Sequence, residues 1–149
     1  MENSPGQPGT VLLVEDNPGD ARLIQELLNS GDVRHNIHHV DDGVKAMEFL
    51  RNQGDFGQSP RPDLMILDLN LPRKDGREVL AEVKGDSGLR SIPVVVLTTS
   101  EAEQDVHHCY ELHANCYVTK PADFDDFNDV MQMIEEFWFS IARLPDTAA

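Results

Sequence analysis

Uninterrupted apolar runs alternate along the chain with segments in which apolar residues recur every three or four positions. A short apolar run is typical of a strand that is buried on both faces of a parallel sheet. We therefore predict five strands. They lie in TVLLVEDN (10–17), NIHHV (36–40), LMIL (64–67), IPVVVLTTS (92–100) and NCYVTK (115–120).

The segments between these strands carry apolar residues at helical spacing. In the first segment Ala21, Ile24 and Leu28 share one face, and Gly31 follows as a stop signal. Glycine and proline mark Gly54–Pro62 as a loop. We predict five helices, at Pro18–Ser30, Asp42–Gln53, Asp75–Lys84, Glu101–Leu112 and Asp123–Leu144.

Strict alternation of strands and helices favours an α/β fold, in which right-handed crossovers build a parallel sheet with helices on both faces. We expect one domain at residues 10–144, a flexible leader at 1–9 and a short tail at 145–149. A chain of 149 residues leaves no room for a second domain. In open sheets of this kind, sites form at the carboxyl ends of the strands.

The charge balance excludes some classes of function. The chain has 12 Lys and Arg against 27 Asp and Glu, whereas nucleic-acid binders carry a basic footprint.

No apolar stretch approaches the roughly 20 residues that span a bilayer, and the N-terminus lacks the basic start and apolar core of a signal peptide. The two cysteines form no disulfide framework. We therefore expect free thiols, no membrane partner and a cytoplasmic location.

Polar side chains follow four of the predicted strands at their carboxyl ends. Any one of these side chains, taken alone, is more often a turn former or a helix cap than part of a functional site. Because the carboxyl ends of parallel strands share one edge of the sheet, we expect the four groups to lie together and to form one site. They are Glu15 and Asp16 after the first strand, Asp68 and Asn70 after the third, Thr98 after the fourth, and Lys120 after the fifth.

Three carboxylates at one edge would repel one another, and a hard divalent cation relieves that repulsion. Mg²⁺ prefers oxygen ligands and needs only one or two carboxylates beside water and a phosphate. We predict that Asp16 and Asp68 bind Mg²⁺ directly and that Glu15 acts through water. Asn70 would offer its backbone carbonyl, because its side chain does not lie at the strand tip.

A carboxylate that faces Mg²⁺ can accept a phosphoryl group. Phosphoryl transfer needs in-line positioning and charge neutralisation more than proton transfer. We predict that Asp68 is the acceptor, that Lys120 and the Thr98 hydroxyl hold phosphoryl oxygens, and that movement of Thr98 toward the new phosphate is the local trigger.

These residues make the chain similar to the receiver domain of two-component response regulators over Thr10–Leu144. The matching motifs are Glu15-Asp16, Asp68 in LDLNLPRKDG, Thr98 in VVVLTT, and Tyr117 with Lys120-Pro121 in CYVTKP. The resemblance implies a flavodoxin-like doubly wound (βα)5 fold with strand order 2-1-3-4-5, and a histidine kinase phosphohistidine as the donor to Asp68. It also implies that Thr98 and Tyr117 form a switch pair and that the Lys120–Pro121 bond is cis.

Within that family, the chain resembles the single-domain regulators paired with cyanobacterial and other bacterial phytochrome kinases. The segments YELHANCYVTK and FWF carry this likeness, which implies a light-regulated kinase as the partner. The chain departs from the family pattern in several positions. It has Glu15 where Asp is usual, Leu71 where Met is common, Thr99 where a smaller residue is frequent, and a longer loop at Gly54–Pro62.

Three other functions are possible for such a chain. Magnesium-dependent aspartyl phosphatases also use a strand-end Asp, but they carry a second Asp two residues on, where this chain has Asn70. A receiver-fold adaptor that is never phosphorylated would not need Asp68, Thr98 and Lys120 together. A transcription factor would need an output domain, and only 145–149 follow the last predicted helix.

The last predicted helix has more apolar surface than one sheet face needs. One line of apolar residues follows a 3-4 spacing, a second line lies beside it, and Phe139 adds to both. Large exposed apolar patches mark interfaces, so we predict a homodimer through this helix, with the fourth helix and fifth strand. The alternative is a helix that is buried more deeply than usual. The first line is Phe124, Phe127, Met131, Ile134, Trp138 and Ile141, and the second is Val130, Met133, Phe137 and Leu144.

Other reactive residues are given structural roles. The spacing of His107, His108, Cys109, His113 and Cys116 matches no standard zinc pattern, and both cysteines occupy apolar positions typical of core packing. We predict that His35–His39 is a solvated strand edge. Likewise, Arg73, Lys74 and Arg77 form only a small, solvated basic patch near the site.

Overall fold

The computed structural model describes residues 6–145. Its five strands are β1 (Thr10–Val14), β2 (Asn36–Val40), β3 (Leu64–Leu67), β4 (Val94–Thr98) and β5 (Cys116–Thr119). They form one parallel sheet in the order β2-β1-β3-β4-β5. This confirms the predicted flavodoxin-like topology, with its switch in strand order between β1 and β3.

Five α-helices follow the strands, and the first four connect one strand to the next. They are α1 (Pro18–Leu28), α2 (Gly43–Leu50), α3 (Gly76–Gly85), α4 (Glu103–Glu111) and α5 (Phe124–Glu136). A short 3₁₀ turn at Gly54–Phe56 lies inside the predicted loop. Among residues 6–145, no helix combines the length and the apolar character that crossing a bilayer requires.

Local sequence signals explain where most helices begin. The side chain of Asn17 accepts a hydrogen bond from the backbone at the start of α1, and Asp42 and Asp123 do the same for α2 and α5. Asp75 and Glu78 form a reciprocal capping box on α3. Helix α4 differs, because its N-cap is Ala102 and no side chain caps it.

Two buried apolar clusters lie on opposite faces of the sheet. One packs α2, α3 and α4 against the sheet, and the other packs α1 and α5. The centre of the sheet is the most deeply buried part, since Leu64–Leu67 of β3 is at most 1% exposed. The continuous apolar runs in the sequence therefore report burial on both faces.

The last helix differs from the prediction. The α-helix ends at Glu136, and a π-helical turn follows at Phe137–Ile141. This turn changes the helical phase, so Phe139 points into the molecule and is only 3% exposed. The expectation that Phe139 adds to an exposed patch is therefore wrong.

The end opposite the predicted site joins the two ends of the described chain. Gly6 donates a backbone hydrogen bond to the carbonyl of Phe139, and the ring of Phe139 packs on Gly9 and on His35, with ring centroids 4.3 Å apart in the latter pair. His35 is 5% exposed, so the prediction of a solvated edge is wrong at this residue. Residues 1–5 of the predicted leader, and 146–149 of the tail, lie outside the described residues.

Candidate metal centre at the carboxyl edge of the sheet

Backbone pairing beyond the strand ends places Glu15 and Asp68 side by side. The Glu15 amide donates to the carbonyl of Val40 at 3.0 Å, and the Asp68 amide donates to the carbonyl of Val14 at 3.0 Å. Glu15 is 1% and Asp68 6% exposed, whereas Asp16 is exposed. One carboxylate oxygen from each of Glu15, Asp16 and Asp68 lies within 4.8 Å of the others. The structure thus gathers three of the predicted metal ligands.

Lys120 reaches the same edge from the end of β5. Its backbone amide donates to the carbonyl of Thr98 at 2.7 Å, and its ammonium lies 2.5 Å from Glu15 Oε1 and 3.3 Å from Asp68 Oδ2. Residues 6–145 contain no cis peptide bond. The implied cis bond between Lys120 and Pro121 is therefore wrong, and the ammonium reaches Asp68 with that bond in the trans form.

At this edge of the sheet the carboxylates outnumber the single Lys120 ammonium, and burial also affects the pKa values of Glu15 and Lys120. Burial raises the pKa of Glu15 to about 7, and the charge of Asp68 adds to this, although the hydrogen bond from Lys120 opposes it. Burial alone would lower the pKa of Lys120, but hydrogen bonds to Glu15 and Asp20 raise it above its usual value. Glu15 thus takes up a proton readily while Lys120 stays charged.

The donor set fits a hard divalent cation. The carboxylates of Glu15, Asp20 and Asp68 contact one ammonium, and Asp16 lies beside Glu15 and Asp68. Oxygen donors of this kind suit Mg²⁺ or Mn²⁺. A cation on the three-carboxylate cluster would neutralise the charge of Asp68, which adds to the effect of burial on the pKa of Glu15.

Asn70 lies two positions after Asp68 and contacts it through its backbone. It is exposed, and its backbone amide lies 3.3 Å from Asp68 Oδ1. The role of its carbonyl as a ligand stays a prediction.

Thr98 and Tyr117 converge on the segment after β4. Thr98 is fully buried, and its hydroxyl lies 3.5 Å from the backbone amide of Ser100. The Tyr117 hydroxyl donates to the carbonyl of Ser100 at 2.9 Å. The two residues of the implied switch pair therefore contact the same short segment.

Arg77 belongs to a network that the sequence did not reveal. Its guanidinium lies 2.9 Å from Asp105 in α4 and 3.1 Å from Asp75, and the Ser100 hydroxyl donates to Asp105 at 2.6 Å. The prediction of a solvated patch is wrong here, since Arg77 joins the start of α3 to α4. No local signal links these residues, because Arg77 and Asp105 are 28 positions apart.

The other basic residues of this patch are also paired. Arg73 lies 3.2 Å from the buried Asp42, and Lys74 pairs with Glu82. Among the described residues, Cys109 and Cys116 are free thiols, the first buried and the second partly buried. Burial raises the pKa of both, as expected for core positions.

Comparisons with known proteins agree with this geometry. The model of the response regulator receiver domain matches residues 11–132. The chain is 50% identical over 145 residues to the response regulator Rcp1 of Synechocystis, covering 97% of this chain and 99% of Rcp1. It is 40% identical over 141 residues to a probable methanogenesis regulatory protein, FilR2, of Methanothrix harundinacea, covering 95% and 90%.

Solved structures give the same result. The phosphorylated cyanobacterial phytochrome response regulator RcpA matches with a TM-score of 0.90 at 52% identity, covering 93% of this chain and 99% of that chain. The Mn²⁺-bound form of Rcp1 matches with a TM-score of 0.89, at the same identity and coverage. The resemblance seen in the sequence is confirmed, and the chain belongs to the response regulator receiver family of signalling proteins.

Proposed function

We propose that this protein accepts a phosphoryl group on Asp68 from the phosphohistidine of a histidine kinase, with Mg²⁺ bound at the carboxylate cluster. The observation that supports this most strongly is the placement of Asp68, whose buried carboxylate lies 3.3 Å from the Lys120 ammonium and within 4.8 Å of oxygens of Glu15 and Asp16. Asp68 can act as a nucleophile at this position only where nearby cations balance the negative charge of the carboxylates.

In the transfer step, an Asp68 oxygen bonds to phosphorus as the bond from phosphorus to the imidazole nitrogen breaks, and the departing imidazole takes up a proton. Asp16 and Asp68 would hold the Mg²⁺ directly, Glu15 through water and Asn70 by its carbonyl. The ion supplies charge neutralisation for the phosphoryl oxygens. Lys120 balances a further phosphoryl oxygen.

Thr98 would carry the signal away from the site. Its hydroxyl is an available donor for a phosphoryl oxygen, and turning toward that oxygen would end its contact with Ser100. Tyr117 holds the same segment through its hydroxyl. The product therefore alters the surface formed by α4, β5 and α5, and the protein catalyses only its own phosphorylation and dephosphorylation.

The partner kinase is proposed to be of the phytochrome type, on the strength of the similarity to RcpA. We place the protein in the cytoplasm, where its two thiols would stay reduced. Neither a nucleic acid nor a membrane is a proposed partner, since the net charge of −15 repels polyanions and anionic lipids.

Apolar side chains exposed on α5 and on the π-helical turn support a homodimer. Met133 is 66%, Phe137 48% and Ile141 61% exposed, and exposed apolar clusters favour association. Light scattering of the Phe137→Ser, Ile141→Ser double variant tests this. A monomeric wild type, or a double variant that stays dimeric, contradicts the homodimer.

Two alternative functions, a non-phosphorylated adaptor and an aspartyl phosphatase, are tested by one labelling experiment. A non-phosphorylated adaptor has no use for the Asp68–Lys120 contact. An aspartyl phosphatase needs a general acid two residues after its nucleophile, and Asn70 is a poor proton donor.

The experiment is incubation with Mg²⁺ and acetyl phosphate, or with a phosphorylated kinase, followed by assay for acid-stable, base-labile phosphate. We expect one label, absent in Asp68→Asn and retained in Asp55→Asn, which removes an exposed carboxylate of the 3₁₀ turn. An unlabelled wild type favours the adaptor, and rapid turnover of many phosphate esters favours the phosphatase.

A further inference from the structure

The Lys120 ammonium has a third carboxylate partner, Asp20. The Lys120 nitrogen lies 3.0 Å from Asp20 Oδ2, compared with 2.5 Å from Glu15 and 3.3 Å from Asp68. An ammonium has three N–H donors, so these three carboxylates account for all of them. The Lys120 side chain is only 5% exposed, and its direction is therefore set by the balance among the three.

Asp20 differs from the other two partners in its relation to the metal centre. Glu15 and Asp68 belong to the cluster whose oxygens could share one cation, and Asp20 does not. A divalent cation on that cluster would draw on the charge of Glu15 and Asp68, which weakens both as acceptors for Lys120. The charge of Asp20 would remain available to the ammonium.

The backbone that carries Asp20 is well fixed. Asp20 is the third residue of α1, with Pro18 at the helix start, and its amide donates to the side chain of Asn17 at 3.0 Å. Its side chain is 34% exposed, which is ordinary for a first-turn acid. An acid is common in the first turn of a helix. This explains why residue 20 is an aspartate but not why its carboxylate contacts Lys120.

We propose that Asp20 is a positioning residue for phosphorylation: it holds the Lys120 ammonium beside Asp68 while the divalent cation engages Glu15 and Asp68. This inference rests on the proposed function. Asp20 itself contacts neither the cation nor the phosphoryl group. Its carboxylate keeps Lys120 from following Glu15 toward the metal or turning to solvent, so that one N–H stays directed at the acceptor.

The first test compares the rates at which Asp20→Ala, Asp20→Asn and wild type are phosphorylated by acetyl phosphate with saturating Mg²⁺. We expect a loss of about tenfold in Asp20→Ala, as for a misplaced catalytic group. Asp20→Asn keeps one acceptor oxygen and should fall between the two. Glu101→Gln is the matched control, since Glu101 lines one surface groove together with Asp20 and Lys120, and this variant should leave the rate unchanged.

Asp20 must act through Lys120, which a double-mutant cycle measures. In the Lys120→Ala background, Asp20→Ala should have no further effect on the rate. Calorimetry should show Mg²⁺ affinity that is not weakened by Asp20→Ala. Additive rate losses, a loss of Mg²⁺ affinity, or a faster Asp20→Ala variant, as simple repulsion of the anionic donor would give, overturns the proposal.

A spectroscopic test needs no phosphorylation. A buried, hydrogen-bonded ammonium exchanges its protons slowly, so Lys120 should give a ¹H–¹⁵N side-chain signal, assigned by its loss in Lys120→Arg. With Mg²⁺ bound, we expect this signal to persist in wild type and to disappear in Asp20→Ala. A signal unchanged in Asp20→Ala overturns the role of Asp20. A wild type that takes up no phosphate, but whose Lys120 signal with Mg²⁺ is lost in Asp20→Ala, would overturn the proposed function and leave the hold of Asp20 on Lys120 intact.

Discussion

Gly76 at the start of α3 lies directly against the backbone of Asp68. A β-carbon at Gly76 would lie 2.2 Å from the carbonyl oxygen of Asp68 and 2.6 Å from the α-carbon of Leu69. The Gly76 amide also donates to the carbonyl of Leu69 at 2.9 Å. The backbone of the proposed phosphoryl acceptor is thus in contact with α3. This helix can approach Asp68 so closely only because residue 76 is glycine.

Gly76→Ala should therefore destabilise the protein by about 2–3 kcal/mol, since neither backbone partner can move freely, and should slow labelling of Asp68. Urea denaturation and phosphorylation by acetyl phosphate measure the two effects. Gly85→Ala is the control in the same helix, because its β-carbon would meet nothing within 4 Å. That variant should be neutral or about 0.5 kcal/mol more stable, and equal stability of both variants would contradict the close approach.

Arg77 holds α4 in place. Helix α4 has one buried residue, Cys109, and an uncapped start, so the ion pair of Asp105 with Arg77 is one of its anchors. Arg77→Ala should lower the free energy of unfolding by about 1 kcal/mol and speed amide exchange across Glu103–Glu111 more than elsewhere.

Hydrogen exchange followed by mass spectrometry checks the effect of Arg77→Ala. Arg22→Ala is the matched control, since the pair Arg22–Glu26 is 82% and 62% exposed and such pairs contribute little. Uniform exchange changes in both variants would count against a specific anchor for α4.

Phe139 closes the end of the molecule opposite the site. Phe139→Ala should cost about 3 kcal/mol, because the ring fills the space between Gly9 and His35. Phe124→Ala removes a ring that is 58% exposed and should cost less than about 1 kcal/mol. Comparable losses in urea denaturation would show that the π-helical turn does not bury Phe139 in solution.

The raised pKa of Glu15 predicts a link between pH and Mg²⁺. In the metal-free protein this pKa is about 7 against an ordinary value of 4.5. The contribution of Glu15 to stability is therefore full below pH 4.5 and lost as pH rises through about 7. Because Mg²⁺ favours the ionised carboxylate, it should stabilise the protein more above that pH than below it.

Thermal denaturation with and without Mg²⁺, at several pH values between the two pKa values and above, measures this link. Glu15→Gln removes the titrating group and should flatten the pH dependence of the Mg²⁺-induced shift in melting temperature. A shift in wild type that is independent of pH would contradict the raised pKa of Glu15.

Much of the fold and the centre of the site could be predicted from local patterns. The segments 36–40 and 64–67 form strands with the predicted bounds, and the second is an uninterrupted apolar run between turn signals, which is typical of a buried strand. Glu15, Asp16 and Asp68 meet because a parallel sheet brings successive carboxyl ends to one edge. Each of these conclusions needs only the residues of one element and a general rule of topology.

The tertiary structure alone decided several other pairings between distant groups. Asp20 meets Lys120 across 100 positions of sequence, and Arg77 meets Asp105 across 28. Phe139 turned inward because the ends of the described chain pack against each other, which overrides helical periodicity. Spacing along a chain determines which face of an element is apolar, whereas the partner of a charge depends on how separate elements are packed together.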